Sequence, residues 1–429
     1  MKNIFVFISI ILITLQSCNT SEKKENDNAT LLSDPQYAAS SAFLTSDENN
    51  IPMISWIEMD SSDNKNFYFA KWDKDAQNFS SRKTIPIEQN ASIHTEGMPK
   101  FAVKGDGTIV AIYETSIPSE TNRFGLSDIK FVSSTDEGNT WTEPQSIQSD
   151  GLQIGSRSFS GILRLDDGEV GVSWLGTNPD KKIEGRPVKF AKTNSENSFE
   201  KEILIDSTAC ECCRTALSSN GQGEVSLVYR DLLPGSVRDI SISHSKNNGK
   251  DFAESVAFSR DGWVIDGCPH NGPAVVSHQE KTFVTWFTAA DEKGVFYAEL
   301  DNNNQITSKI QLSQHGNFAQ LALMPDESKV IVYDEDYEDE GTKYNKIIVN
   351  KVRQNEVFEK EISTPHTYGT HPAIQVATEH DVIVAWEDKN KIYCRLVKTN
   401  SIQNLKKKPN DEIHSNSTTA QLFEKNTSH

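Results

Sequence analysis

The residues able to do chemistry fall in short polar segments, each just ahead of an apolar strand. They read His94-Thr95-Glu96, Ser156-Arg157-Ser158, Cys212-Cys213-Arg214, Cys268-Pro269-His270-Asn271, His315-Gly316-Asn317, and then His366, Tyr368 and His371. Five of the ten histidines lie here, so the series is richer in imidazole than the rest of the chain. Imidazole moves protons near neutral pH and binds metals, while guanidinium pairs bidentately with carboxylate. A second polar set follows a recurring aromatic residue: Glu58, Glu114, Arg230, Asp231, Arg238, Asp334, Glu335, Glu387 and Asp388.

The elements that must position these residues are set by a repeat. An aromatic ends a short apolar strand at Trp56, Tyr113, Trp174, Tyr229, Trp286, Tyr333 and Trp386. The spacing is about 47 to 61 residues, a period that signals a repeat architecture. Each repeat has an inner strand, a turn, a strand ending in the aromatic, a variable loop, a third strand and a tight polar turn into a fourth. In the second repeat these are Met98 to Val103, Gly105-Asp106-Gly107, Thr108 to Tyr113, Ile129 to Ser133 and the turn into Trp141. With almost no helical periodicity, the pattern predicts an all-β, seven-bladed β-propeller of four-stranded antiparallel blades, with six blades as the alternative. The seventh repeat lacks an outer strand. Either Thr30 to Leu32 or Ser401 to Leu405 closes the ring, and the first is favoured.

The termini read differently. Met1-Lys2-Asn3 and the apolar run Ile4 to Leu15 form a signal peptide over residues 1–17, too short to span a membrane comfortably. Leu15-Gln16-Ser17-Cys18 resembles the lipobox of bacterial lipoproteins. That resemblance implies acylation of Cys18, an exported protein and a membrane anchor, with the outer membrane as the expected location. Residues 18–34 read as a polar tether and 406–429 as a polar tail, leaving 35–405 for the propeller. The formal net charge of −18 excludes a nucleic-acid partner of the ordinary basic type.

Ser134-Thr135-Asp136-Glu137-Gly138-Asn139-Thr140-Trp141 matches the Asp-box, Ser-x-Asp-x-Gly-x-Thr-Trp. Ser245-Lys246-Asn247-Asn248-Gly249-Lys250-Asp251-Phe252 is a second copy with Asn for Asp, and weaker traces end at Phe79 and Phe199. In phase with the blades, these resemble the sialidase-like (Asp-box, or bacterial neuraminidase repeat) propeller superfamily. The pair Cys210-Glu211-Cys212-Cys213-Arg214-Thr215 and Gly267-Cys268-Pro269-His270-Asn271-Gly272-Pro273 is similar to segments of bacterial lipoproteins that carry a sialidase-like label by fold.

The resemblance implies an axial site that recognises, and hydrolyses, an extracellular glycan. A sialidase-like mechanism needs an arginine triad, for which Arg157, Arg214 and Arg230 are the candidates. It also needs a Tyr nucleophile activated by Glu, for which Tyr368 and Glu96 are candidates, and an acid, Asp231. Arg157 and Arg214 begin equivalent strands of adjacent blades and are expected to face the axis together. His94, His270, Asn271, Asn317 and His371 are expected to contact substrate. The Arg-Ile-Pro motif of sialidases is absent, and seven repeats exceed their six blades.

Two other readings stand beside this one. The first is a glycan- or protein-binding propeller without catalysis. The second is an axial metal site, for Zn or Cu, built from His94, Cys213, His270 and His371; otherwise no cofactor is expected. For the cysteines, a disulfide between Cys268 and one of Cys210, Cys212 and Cys213 competes with metal binding, and Cys394 reads as a buried thiol.

Overall fold

A computed structural model of the chain describes residues 29–118, 126–148, 156–178, 180 and 182–406. The signal peptide, the acylation site Cys18 and the tail beyond Lys406 lie outside the described residues. Among those described, no helix is long and apolar enough to cross a membrane.

Seven antiparallel sheets follow one another along the chain. Their inner strands are Ala38–Ser46, Lys100–Val103, Ser158–Arg164, Ala216–Ser219, Ala274–His278, Gly316–Leu323 and Thr370–Val376. These are blades one to seven, so the six-bladed alternative is excluded. Each second strand carries the repeated aromatic, and none of the seven aromatics is more than 2% exposed.

The core is not one mass. It divides into separate apolar clusters, each filling the gap between two consecutive blades. Val295, Tyr297, Ile331 and Tyr333 fill the gap between blades five and six, and Ile54, Trp56, Ile383 and Ala385 the one between blades seven and one. That explains the continuous apolar second strands such as Val382 to Trp386: both faces of each blade are buried.

The ring closes with the N-terminal segment. Thr30–Leu31 pairs antiparallel with the third strand of blade seven, Lys391–Lys398, with Thr30 opposite Cys394 and Leu31 opposite Tyr393. This is the favoured closure. The other candidate, as Asn404–Leu405, pairs instead with the outer strand Glu356–Glu361 of blade six. Each sheet edge that the sequence left open is thereby covered.

The polar turns do structural work on the opposite side of each blade from the entry loops. Asp136 accepts N–H bonds from Asn139 (3.2 Å) and Thr140 (2.8 Å), and Gly138 sits at φ 80°. The turn delivers Trp141 edge-on to Phe69 of the preceding blade, at 6.2 Å between ring centroids. Phe252 meets Phe190 and Phe199 meets Phe131 in the same way, both at 5.0 Å. These turns therefore lock neighbouring blades together.

Candidate functional site

Four inner strands start with a bulge. The pairing register slips between Ser40 and Phe43, Ser158 and Gly161, Asn317 and Gln320, and Thr370 and Ala373. Inside each slip lies a non-glycine residue with positive φ: Ser41 (65°), Phe159 (59°), Phe318 (51°) and His371 (49°). The conformation is costly for an L-residue, so something must hold it.

In three of the four cases the holder is the acid that follows the repeated aromatic on the preceding blade. Glu387 accepts the Ser41 N–H at 2.7 Å, Glu114 the Phe159 N–H at 2.6 Å and Asp334 the His371 N–H at 3.0 Å. Arg230 does the same job with opposite polarity, donating to the carbonyls of Asn271 (3.0 Å) and Phe287 (2.6 Å) of blade five. In these four repeats the residue after the aromatic is thus a clip to the next blade. These groups were expected in the loops lining a pocket; Glu114, Arg230 and Asp334 are instead buried behind it, and Glu387 alone of the four also lines it. Burial raises the carboxyls of Asp334 and Glu387 to a pKa of about 7.

In front of the clips, the axial end of the ring holds a cavity of about 170 Å³. Leu44, Ile162, Leu217, Leu321 and Ile374, from five inner strands, form its apolar wall. Its polar lining includes Glu96, Lys100, Arg214, Gln320, His371 and Glu387. Glu96 lies on a short 3-10 turn, Thr95–Gly97, capped by the His94 imidazole, which accepts the Glu96 N–H at 3.2 Å. Only 1% exposed, Glu96 joins three blades: it accepts the Arg214 guanidinium on Oε1, and the N–H groups of Arg214 (2.9 Å) and Gly272 (2.8 Å) on Oε2. Burial opposes its charge, but the Arg214 cation and the two amides prevail and lower its pKa.

The remaining groups tune this pair. Gly97 has no room for a Cβ, which would meet the Glu114 carboxylate at 2.4 Å. Lys100 is fully enclosed and donates to the Ser160 carbonyl; burial depresses its pKa, against the pull of Glu114. His371 stacks on Phe318 at 4.0 Å, and burial lowers its pKa to about 4, so it is neutral at physiological pH. Burial, then His270, also lowers His94, whose ring lies 4.8 Å from that of His270.

The sialidase-like constellation is not assembled among the described residues. Arg157 pairs with Asp128 at 3.1 Å, Arg214 with Glu96, and Arg230 with backbone carbonyls, so the guanidiniums do not converge on a common ligand. Both oxygens of Glu96 are taken by Arg214 and Gly272, leaving no bond to Tyr368. The Tyr368 ring packs against Tyr344 at 5.6 Å and is 41% exposed. Asp231 accepts from Ser241 Oγ and the Leu232 N–H behind the blade-four aromatic. Asn317 donates to the His315 carbonyl at 3.4 Å, and Asn271 is buried, its carbonyl held by Arg230.

The cysteines also differ from expectation. All five described are free thiols. Cys210, Cys212 and Cys213 cluster, with Cys210 Sγ at 3.8 Å from Cys212 Sγ and 3.9 Å from Cys213 Sγ. The expected bridge to Cys268 is not formed; Cys268 instead groups with Cys212 and His270. His94 and His371 join neither ligand group, so the set His94, Cys213, His270 and His371 is not brought together as metal ligands. Cys210, absent from that set, was hidden because its loop position does not reveal which way its sulfur turns.

The sequence matches no protein-family model. It also matches no curated protein. Solved structures do share the fold. A lectin from Burkholderia pseudomallei has a TM-score of 0.58 and 11% identity over 87% of this chain and 99% of its own. The intramolecular trans-sialidase of Ruminococcus gnavus has a TM-score of 0.51 and 7% identity over 88% and 98%. A polysaccharide lyase gives 0.51 and 9% over 88% and 90%. At these identities the likeness is one of fold.

Proposed function

We propose that this propeller recognises an uncharged glycan at the axial cavity, with Arg214, His371 and Gln320 as the polar contacts. One observation carries the reading. Arg214 Nη2 is buried on the cavity lining and has no hydrogen-bond partner among the described residues. A buried donor without a partner is costly, and a ligand hydroxyl would satisfy it. The cavity, at about 170 Å³, falls below the ~300 Å³ of a drug-sized pocket. It suits one sugar ring or a chain end.

Charge argues for a neutral ligand. Glu96 cancels Arg214, Glu114 stands against Lys100, burial pushes Glu387 toward its neutral form, and His371 is neutral. The chain as a whole carries −18, which repels anions at long range. The three comparison proteins named above are a lectin, a trans-sialidase and a polysaccharide lyase, which supports saccharide as the ligand class. Acylation at Cys18 would hold this site at the cell envelope, and mass spectrometry of the mature N-terminal peptide tests that placement. A glycan array with the full chain tests the ligand: neutral glycans bind under this reading, and binding confined to sialylated or uronic glycans contradicts it.

A further inference from the structure

Beside the axial cavity, the loop entering blade four and the loop entering blade five put four sulfurs and an imidazole together. Cys210, Cys212 and Cys213 offer ligand atoms within 4.8 Å of one another, and so do Cys212, Cys268 and His270. Cys212 belongs to both groups. We propose that Cys210, Cys212 and Cys213 hold a thiophilic d10 cation, Zn(II) or Cu(I), beside the second group in which Cys212 meets Cys268 and His270 of the neighbouring blade.

Spacing is the first argument. A tetrahedral ion with metal–sulfur bonds of ~2.3 Å needs sulfurs about 3.8 Å apart. Cys210 Sγ lies 3.8 Å from Cys212 Sγ and 3.9 Å from Cys213 Sγ. A disulfide would need about 2.05 Å. Two of the three separations thus match the edge of a coordination polyhedron and the third lies within 4.8 Å, with the thiols at 1%, 4% and 2% exposure.

The second argument is the surroundings. His270 Nδ1 is buried without a partner among the described residues. Its backbone is held at φ 47°, which aims a non-glycine side chain at a cost of about 1–3 kcal/mol. The sulfur cluster also has cations at hand. Arg230 accepts the Cys210 N–H on its carbonyl at 3.0 Å, and the buried Nε atoms of Arg230 and Arg238 have no partner among the described residues. Three thiolates on a divalent ion leave one negative charge, which one arginine balances, and on a monovalent ion two, which both arginines balance. Binding releases the thiol protons to solvent and changes no oxidation state. Cys268 is exposed and stands at the mouth of the site, a route of entry for the ion.

This inference is independent of the glycan reading. The test uses the full chain, purified under reducing, anaerobic conditions and loaded separately with Zn(II) and with Cu(I). Metal is counted by mass spectrometry after desalting, and thiols by alkylation before and after chelation. The expected result is stoichiometric metal with Cys210, Cys212 and Cys213 protected from alkylation until a chelator is added. A zinc-specific dye and a Cu(I) chelator tell the two ions apart. Cys212→Ser is expected to drop metal to background, while Cys394→Ser retains it. Three freely alkylated thiols after both loadings, a disulfide among the three in the reduced protein, or full metal retention in folded Cys212→Ser would each overturn the proposal. The protection measurement uses the unaltered chain, so a variant that fails to fold does not shield the proposal.

Discussion

Glu96 and Arg214 come from entry loops two blades apart and form one buried unit. The Arg214 guanidinium donates to Oε1, and the Arg214 backbone N–H donates to Oε2 at 2.9 Å. The Gly272 N–H completes the arrangement from blade five at 2.8 Å. This carboxylate therefore shapes the axial site by fixing three blades, and it leaves the buried Arg214 Nη2 without a partner among the described residues.

Removing one partner of this pair strands the other. Glu96→Ala is expected to destabilise the fold by ~3–5 kcal/mol, because a buried guanidinium is left without its anion. The double variant Glu96→Leu, Arg214→Met is expected to cost clearly less than the two single changes summed. Denaturant unfolding of all three variants measures the coupling; simple additivity would mean the pair acts as two independent residues.

Gly272 is fixed by the same unit. A Cβ there would lie 2.6 Å from both the Cγ and the carbonyl oxygen of Arg214, and 2.9 Å from Glu96 Oε2. Gly272→Ala is expected to cost about 1–3 kcal/mol through overpacking and to displace Arg214. Thermal melts read the first effect and loss of ligand binding the second.

The blade clips predict an unusual pH dependence. Asp334 and Glu387 have folded pKa values of about 7, above their ordinary values of 3.8 and 4.5. Between those limits the folded state binds more protons than the unfolded state, so stability falls as pH rises. The chain is expected to melt at higher temperature at pH 5.5 than at pH 8. Glu387→Gln keeps an oxygen for the Ser41 N–H and removes one titration. It should flatten the slope, with a change on the order of 1–3 kcal/mol across the window. An unchanged slope in Glu387→Gln would show that this group does not titrate there.

The neutral imidazole of His371 makes a separate prediction about binding. With its pKa near 4 it does not change charge between pH 5.5 and 8. Affinity for a neutral glycan is expected to vary less than threefold across that range, and little with salt. Titration calorimetry at several pH values and ionic strengths checks both.

Much of the fold was legible in the chain because it is periodic. The seven aromatics fixed the blade count, and Thr30 to Leu32 was readable as the closing strand because the seventh repeat lacked an edge. The site was less legible. Glu114, Asp334 and Glu387 each follow the aromatic, which marks them as polar loop residues but does not say that they turn to the next blade. What decides it is the positive φ at Phe159, His371 and Ser41, a backbone need with no sequence signature in non-glycine residues. Arg157 likewise begins its strand as Arg214 does, but it pairs with Asp128 of the preceding blade. The adjacency of Cys212 to Cys268 could be inferred from blade addresses, whereas the pairing of Glu96 with Arg214 across an intervening blade could not.

The most direct test of the axial site is a titration of the best neutral array ligand into the unaltered chain and into His371→Ala, with circular dichroism confirming that both are folded. The account predicts a loss of affinity of at least tenfold in the variant, since His371 lines the cavity beside Arg214. Equal affinity in the two proteins would place the ligand elsewhere and contradict the account.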